Sequence, residues 1–223
     1  PAPAATSGEL KAVEASLAAL GTDYLDLYQH HFPDAGTPVE ETLEALNALV
    51  RQGKVRHIGC SNYTGAQLTA ALEASSRLGL TPFISAQSRY SLLTRDIEED
   101  LVPVCLANGV GVLPYFPLES GLLSGKYRKG EPLPEGSRFA RWRGGGTFAS
   151  DARYAIVDKL AAYGESRGRT VLDLAIGWLA AQPTVTSVIA GVTRPEQLAQ
   201  NVAAGSWDPS PEQLAAIRAI ATG

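Results

Sequence analysis

Short apolar runs alternate along the chain with stretches in which apolar residues recur with helical period. Such runs are typical of parallel strands that are buried on both faces. We therefore expect β-α units that repeat about every 30 residues and form a parallel sheet with right-handed crossovers. The five predicted strands are "YLDLYQHH" from Tyr24, "HIGCSN" from His57, "FISAQSRY" from Phe83, "VGVLPYFPL" from Val110 and "VTSVIAG" from Val185.

Three of the intervening helices carry recognisable start signals. Each has a Thr or Ser with a Pro one or two positions later, and a Glu or Gln three residues after the Thr or Ser. This spacing allows a capping box, in which the two side chains satisfy backbone N–H groups at the helix start. The predicted boxes pair Thr37 with Glu40, Thr193 with Glu196, and Ser210 with Gln213.

The alternation breaks between Leu118 and Ala152, where the chain is rich in Gly, Pro, Arg and Lys. Connections in compact domains have a median length of about 4–6 residues. We therefore interpret residues 118–151 as a long lid or cofactor loop within a single domain that spans residues 1–223. Its basic residues are Lys126, Arg128, Lys129, Arg138, Arg141 and Arg143.

The number of strands limits the choice of fold. A βα barrel needs eight strands and typically about 250 residues, whereas this chain offers about five. An open doubly wound sheet could be built from five strands, but the glycine fingerprint that follows its first strand is missing from "HHFPDAG".

Composition and charge exclude several classes of function. The chain has 223 residues, 45% of them hydrophobic, and a net charge of -4 without a basic stripe, so neither a nucleic acid nor a membrane surface is an expected partner. No apolar run reaches the roughly 18 residues that a membrane helix needs. Two cysteines are too few for a disulfide scaffold, which favours a cytoplasmic location. The sequence contains no methionine.

Candidate chemistry lies at the ends of the predicted strands. His31 ends the first strand just before Phe32-Pro33, and its side chain is either a proton or hydrogen-bond donor or a packed residue. Ser61 and Asn62 end the second strand, where they either cap the next helix or hold a polar ligand. Of the neighbouring histidines, strand alternation turns His30 to the opposite face from His31, where we expect it to pack against a helix.

Three further positions have two interpretations each. Gln87, within the third strand, needs a hydrogen-bond partner, either on a neighbouring strand or on a ligand, because an unpaired buried amide costs about 1–3 kcal/mol. Tyr115 ends the fourth strand and either fills the core or stacks on a flat ring. Arg194 lies at the start of a predicted helix, where backbone N–H groups and the guanidinium could bind a phosphate.

In this order the motifs "LGTDYLDLYQHHFPD", "GKVRHIGCSN", "AQSRYSLL", "GVLPYFPLESGLLSGKY", "GSRFARW" and "VTSVIAGVTRPEQLAQN" resemble the aldo-keto reductase family. They look most like those of its bacterial members that are related to potassium-channel β subunits. The resemblance implies an α/β fold, the (β/α)8 TIM barrel, and hydride transfer from NADPH to a small aldehyde or ketone. The match runs from about Leu10 to about Ile220.

The resemblance also implies roles for individual residues. His31 matches the active-site histidine, and Tyr115 matches the aromatic residue that stacks on the nicotinamide ring. Residues that match the nicotinamide carboxamide site are Ser61, Asn62 and Gln87. Residues on the loop over the pyrophosphate are Pro117, Leu118, Gly121, Lys126 and Arg138. Residues that match the site for the 2′-phosphate and adenine are Gly191, Thr193, Arg194, Gln197 and Asn201.

Two departures from the family pattern affect the expected function. Phe116 stands where a serine is common near the pyrophosphate. No segment matches the three strands that carry the family's catalytic Tyr, Lys and Asp, so we expect the chain to be the C-terminal two-thirds of a longer one and to be inactive alone. The alternatives are a non-catalytic nucleotide-binding module of the channel β-subunit type and an unrelated barrel that takes a phosphorylated substrate. The sequence leaves the carbonyl substrate and the oligomeric state open.

Overall fold

A computed structural model describes residues 4–141 and 146–222 of the protein. Arg143, one of the predicted loop cations, lies outside these residues. Four strands occur in the described part of the chain, and their sheet order is β1-β2-β3-β4. They are β1 (Leu25–His30), β2 (Val55–Ser61), β3 (Phe83–Arg89) and β4 (Gly111–Tyr115). Pairing of β1 with β2 and of β2 with β3 is parallel, as the alternation of runs and helical stretches predicts.

Helices connect and follow these strands. The helices are α1 (Ala4–Leu20), α2 (Val39–Arg51), α3 (Gly65–Leu78), α4 (Leu101–Asn108), α5 (Arg138–Arg141), α6 (Asp151–Glu165), α7 (Val171–Ala180), α8 (Pro195–Gly205) and α9 (Pro211–Thr222). Short 3₁₀ helices occupy Asp96–Glu98, Glu119–Ser124 and Gly146–Phe148. In the described residues, no helix combines the length and the apolar character that crossing a membrane requires.

The prediction of a fifth strand from Val185 is wrong. The segment from Thr186 to Val192 is not assigned as a strand. The amide of Ile189 donates to the Pro114 carbonyl at 2.9 Å, which ties the segment to β4 at that position. Because a strand needs a ladder of such bonds, apolar composition alone was not sufficient to predict one here.

One of the three predicted capping boxes is confirmed. Ser210 accepts from the Gln213 amide and the Gln213 side chain accepts from the Ser210 amide, at 3.3 and 2.8 Å. The other two predictions are wrong. Thr37 donates instead to the Asp34 carboxylate, and the N-cap of α2 is Pro38 without a side-chain cap. The N-cap of α8 is Arg194, also without a side-chain cap.

The chain divides into two compact units. The first comprises the chain up to Ser88 together with Ile97–Val112, and the second comprises Arg89–Asp96 together with the chain from Leu113. In the first unit the core contains Leu43, Leu46 and Ile58, each of them fully buried. Complete burial of a side chain of this size contributes about 1.5–3 kcal/mol. These residues therefore hold α2 and β2 together.

In the second unit the core is more aromatic. Tyr90 and Trp178 are buried and their rings meet edge to face, with centroids 5.9 Å apart. Tyr127 and Phe139 are buried and stacked, with centroids 4.1 Å apart and ring planes inclined by 8°. The second pair joins two parts of the segment that we interpret as a long lid or cofactor loop, so this part of the segment is packed.

Candidate functional site

In the first unit, His31 follows β1 directly. The strand ends at His30, one residue earlier than the sequence indicated, and the imidazole of His31 is exposed. The Asn62 side-chain amide donates to the His31 carbonyl at 3.0 Å. This hydrogen bond fixes the backbone of His31 against the end of β2. The structure thus brings together two of the predicted site residues.

Ser61 and Asn62 do not cap the next helix. The N-cap of α3 is Thr64, which forms a full capping box with Gln67. Ser61 is buried and its hydroxyl donates to the Gln87 carbonyl at 3.0 Å, while the Asn62 backbone amide donates to the same carbonyl, also at 3.0 Å. Asn62 has a φ of 61°, a conformation that asparagine tolerates better than most residues do. The capping interpretation is wrong, and both side chains are held at the C-terminal end of β2.

The partner that Gln87 needs comes from β1, on the other side of β2. Gln29 donates from its amide nitrogen to the Gln87 side-chain oxygen at 2.8 Å, and Ser85 donates to the Gln29 oxygen at 3.4 Å. This leaves the Gln87 amide nitrogen as a donor with no partner in the described part of the protein. Gln29 lies within the motif that ends at His31, but the sequence assigned no role to it, so its contribution was missed. Strand alternation, which turns it to the same side of β1 as His31, was the available signal.

His30 contacts an aromatic residue in the segment that precedes α3. Its Nδ1 atom is hydrogen-bonded to the Tyr63 hydroxyl at 2.8 Å, and the two rings lie edge to face. Tyr63 is buried and follows Asn62 in the segment between β2 and α3. The neighbouring residues His30 and His31 are therefore both hydrogen-bonded to Asn62-Tyr63, one through its side chain and the other through its carbonyl.

In the second unit, two aromatic residues follow one another at the end of β4. Tyr115 is half-buried and Phe116 is 39% exposed, and their ring centroids lie 5.4 Å apart. Phe116 also lies 6.1 Å from the ring of Phe148. Phe116 has a φ of 54°, which is rare for a bulky residue. Strain of this kind concentrates at ligand-binding sites.

The loop that follows continues in the same unusual conformation. Glu119, Ser120 and Gly121 have φ values of 46°, 58° and 99°. The Glu119 amide donates to the Phe116 carbonyl at 3.0 Å, and the Gly121 amide donates to the Leu118 carbonyl at 2.8 Å. We call Phe116–Gly121 the left-handed turn. Pro117, which is buried, and Leu118 both lie within it.

Lys126 lies against the left-handed turn. A Cβ atom on Gly121 would be 3.2 Å from both Cε and Nζ of Lys126, so the glycine leaves room for this side chain. Arg138 begins α5 and is exposed. Both cations are anchored through the next residue in the chain, because Tyr127 stacks on Phe139 and accepts a hydrogen bond from the Phe139 amide at 3.2 Å.

A second predicted group lies at the start of α8. Gly191, Thr193 and Arg194 are exposed there. The amide and the hydroxyl of Thr193 donate to the side-chain oxygen of Gln197, at 2.9 and 3.2 Å. Gln197 thus takes the part that the sequence assigned to Glu196. Asn201, one turn further on, lines a groove of about 340 Å³ between α7, α8 and the segment from Thr186.

Glu119 is a fully buried charged residue of the second unit. It accepts from Arg89 and Arg153 at 2.6 Å each and from the Ser91 hydroxyl at 2.7 Å. Burial raises the pKa of this carboxyl, but the hydrogen bonds from Ser91, Arg153 and Arg89 outweigh it, and the pKa is lowered overall. Glu119 is therefore ionised at neutral pH.

The two cysteines are poor candidates for catalysis. Burial raises the pKa of Cys60 to about 12 and that of Cys105 to about 11. Because the thiolate is the reactive form, both thiols are unreactive at neutral pH. Among the described residues, no group of three or more His, Cys, Asp or Glu side chains could hold a metal ion.

The sequence profile of the Aldo/keto reductase family matches residues 2–222. The chain is a member of the aldo-keto reductase family. The fold of this family is the TIM barrel, and the four-stranded parallel sheet is consistent with part of one. The prediction of the fold class is thereby confirmed, and the interpretation as an unrelated barrel is excluded. Enzymes of the aldo-keto reductase family generally use nicotinamide cofactors.

Curated relatives of this aldo-keto reductase family member include channel subunits and reductases. A probable voltage-gated potassium channel subunit beta from Arabidopsis thaliana is 36% identical over 203 residues, which cover 87% of this chain and 60% of the relative. An NADH-specific methylglyoxal reductase from Escherichia coli K12 is 36% identical over 199 residues, covering 86% and 57%. An L-glyceraldehyde 3-phosphate reductase from E. coli O157:H7 is 34% identical over 215 residues, covering 93% and 61%. The chain thus spans about three fifths of the length of these relatives.

Proposed function

We propose that the chain provides the nicotinamide-nucleotide site and the active-site histidine of a reductase that converts small aldehydes or ketones to alcohols with NADPH. The observation that carries this proposal is the cluster of His31, Ser61, Asn62 and Gln87 at the ends of neighbouring strands. Family membership supports it. When bound, the cofactor would supply the hydride. The cytoplasm is the proposed location, since both cysteines are free and buried.

The donor set of the cluster fits a carboxamide. The Gln87 oxygen is committed to Gln29, which leaves its amide nitrogen available to donate to a ligand carbonyl. Ser61 and Asn62 are held by bonds to the backbone of Gln87 and His31, so their positions are fixed before a ligand binds. Preorganised donors of this kind suit the amide of a nicotinamide ring better than they suit an apolar ligand.

The loop after β4 fits a diphosphate. The Ser120 hydroxyl is buried without a hydrogen-bond partner in the described part of the chain, which a phosphate oxygen would supply. Gly121 brings Lys126 close to the left-handed turn. Arg194 and the N-terminus of α8 provide cationic and N–H donors for a further phosphate, such as the 2′-phosphate of NADPH.

A titration of the 223-residue chain with NADPH, followed by cofactor fluorescence, tests the site. We expect Gln87→Ala to weaken binding about tenfold, since a hydrogen bond to a buried polar group is worth roughly 1–1.5 kcal/mol. Gln52→Ala is the matched control, because Gln52 is exposed at the end of α2. NADPH binding that is equal in both variants would contradict the assignment of Gln87.

Replacing Arg194 by Gln tests the cofactor preference. Loss of a bidentate phosphate donor should weaken NADPH binding about tenfold and leave NADH binding unchanged. If affinity for both cofactors falls equally, Arg194 does not contact the 2′-phosphate. If NADH binds the unsubstituted chain more tightly than NADPH does, the proposed preference is wrong.

We also propose that the 223-residue chain alone does not turn over substrate. Its residues include a match to the family's histidine but none to its catalytic Tyr, Lys and Asp. Methylglyoxal and glyceraldehyde 3-phosphate are the first substrates to test, given the names of the reductase relatives. Carbonyl-dependent NADPH oxidation by the purified chain would refute this part of the proposal.

A second candidate function is that of a non-catalytic module which binds a nicotinamide nucleotide and reports its redox state to a partner. Three potassium-channel β subunits among the relatives favour it. The two candidates differ in turnover. The protein encoded by the complete reading frame should oxidise NADPH with methylglyoxal if it is a reductase, whereas the module should bind NADPH tightly without turnover.

A further inference from the structure

Glu119 and its three partners form an ionic cluster to which the sequence analysis assigned no role. We call the group of Glu119, Arg89, Ser91 and Arg153 the Glu119 clasp. Both oxygens of the carboxylate are used: Oε2 accepts from the two arginines, and Oε1 accepts from the serine. The Glu119 side chain is fully buried, while the arginine side chains are 36% and 23% exposed. A carboxylate buried in this way needs all three donors.

The clasp connects three segments of the second unit. Arg89 and Ser91 come from the end of β3 and the residues after it, and Arg153 comes from the first turn of α6. Arg153 also donates to the Leu93 carbonyl at 3.2 Å and to the Thr94 hydroxyl at 3.3 Å. The carboxylate is thus the point at which α6 and the segment after β3 are fixed to the loop that follows β4.

The conformation of the loop explains why such an anchor is needed. Glu119 lies between Phe116 and Ser120, and all three residues have positive φ. Backbone conformations of this kind are unfavourable for residues other than glycine, and persist when the surrounding structure imposes them. The Glu119 carboxylate, which accepts three hydrogen bonds, provides that restraint within the turn.

We propose that Glu119 is a positioning residue, whose clasp holds the left-handed turn in the conformation that receives the cofactor's diphosphate. This inference rests on the proposed function, since it assigns Glu119 to the same nicotinamide-nucleotide site. Glu119 does not itself contact the cofactor in this proposal. Its negative charge would repel a diphosphate, and its carboxylate is already fully occupied by Arg89, Arg153 and Ser91.

The charge balance makes the proposal testable. Two guanidinium groups and one carboxylate leave a net charge of one positive unit in the clasp. Replacing Glu119 by Gln adds a further positive unit close to the loop. If charge alone decided cofactor binding, this variant would bind NADPH more tightly than the unsubstituted chain. If the position of the turn decides it, the variant binds more weakly in spite of its added positive charge.

The experiment compares Glu119→Gln with Glu135→Gln in the full 223-residue chain. Glu135 lies in the same long segment and is exposed, so the second variant makes the same change of charge outside the clasp. NADPH affinity is measured at pH 7.5 by cofactor fluorescence. We expect Glu119→Gln to bind at least tenfold more weakly and Glu135→Gln to bind equally well or slightly better. Equal or tighter binding by Glu119→Gln would overturn the inference.

A second readout follows the loop itself without cofactor. Lys126 and Arg128 are exposed just after the turn and are sites for trypsin. Release of the turn should speed cleavage there at least fivefold in Glu119→Gln and leave the rate unchanged in Glu135→Gln. Ser91→Ala, which removes one neutral donor, should change both readouts in the same direction by a smaller factor. Ser91→Ala is the variant that tests the inference if Glu119→Gln does not fold.

The outcomes separate this inference from the proposed function. If the unsubstituted chain does not bind NADPH, the proposed function fails, and the role of Glu119 in cofactor binding fails with it. If the unsubstituted chain binds NADPH and both Glu→Gln variants bind it equally, only the inference fails. Weaker binding together with faster cleavage in Glu119→Gln and, to a smaller extent, in Ser91→Ala supports both.

Discussion

Gly59 is the residue at which a single added methyl group should disturb both the sheet and the candidate site. It lies in β2, opposite Gln29 in the register of β1 and β2. A Cβ atom at this position would overlap the Ser85 hydroxyl and would lie 3.0 Å from the Ser85 carbonyl oxygen and 3.3 Å from Cγ of Gln29. Gly59→Ala therefore displaces Ser85 and Gln29, and Gln29 is the residue that donates to Gln87.

The magnitude follows from two opposing effects. Overpacking of a well-packed site destabilises by about 1–3 kcal/mol. The loss of glycine's backbone freedom in the unfolded chain returns roughly 0.5–1 kcal/mol. A net loss of about 1–2 kcal/mol is expected, which lowers the midpoint of thermal unfolding by about 2–4 °C for each kcal/mol in a chain of this size.

The assay combines urea unfolding, followed by circular dichroism, with NADPH titration. Gly8→Ala is the control, because a Cβ atom on Gly8, within α1, has no atom within 4 Å, and this variant should gain about 0.5–1 kcal/mol. The double variant Gly59→Ala with Ser85→Ala removes the hydroxyl in the overlap and should recover part of the lost stability. If Gly59→Ala is as stable as the unsubstituted chain and binds NADPH equally well, the packing argument is refuted.

Three further predictions concern other parts of the molecule. Glu119→Gln should lose about 2–3 kcal/mol at pH 7, reduced from the value for fully buried pairs because one arginine is more than a third exposed. Since the folded pKa of Glu119 lies below 4.5, this difference in stability between the two proteins is present above about pH 4.5 and should fall as the pH drops through the folded pKa. A stability difference that is constant down to pH 3 would contradict the lowered pKa of Glu119. Tyr63→Phe removes the hydroxyl bound to His30 and should cost about 1 kcal/mol in urea unfolding, whereas Tyr24→Phe at an exposed ring should have no effect. Both cysteines should react with a thiol reagent at pH 8 only after urea is added, and rapid reaction of the folded chain is the result that would count against their burial.

The strands that could be predicted from the sequence are those with a paired neighbour. The runs from Tyr24, His57, Phe83 and Val110 correspond to β1–β4 to within a few residues. β2 and β3 are largely buried, as apolar runs predict, whereas β1 has no buried residue. The run from Val185 has the same composition. A ladder of hydrogen bonds depends on the neighbouring segment, which composition does not describe, and the prediction failed there.

The helix starts show why local signals mislead. Ser61 and Asn62 are favoured capping residues, but Thr64 and Gln67, further along the chain, form the box that caps α3. Several residues within one turn satisfy the same local rule, and the helix begins at Gly65, four residues after β2 ends at Ser61. Ser61 is still paired with Gln87 in the sheet, so it was not available to cap.

The residues that position the candidate site could not be found from the sequence, for a physical reason. The motifs identified His31, Asn62 and Gln87, which lie where buried strands end and where parallel strands bring polar side chains to one edge. Glu119 and Arg89 are thirty residues apart in the chain, and nothing in either local pattern distinguishes this pair from the many other possible acid–base pairs. Only the left-handed turn, which removes Glu119 from solvent and aligns it with Arg89, makes the pairing obligatory. The same reasoning applies to Gln29: its amide is polar in an apolar run, which demands a partner, but the identity of that partner depends on the register of three strands and on a glycine in the middle one.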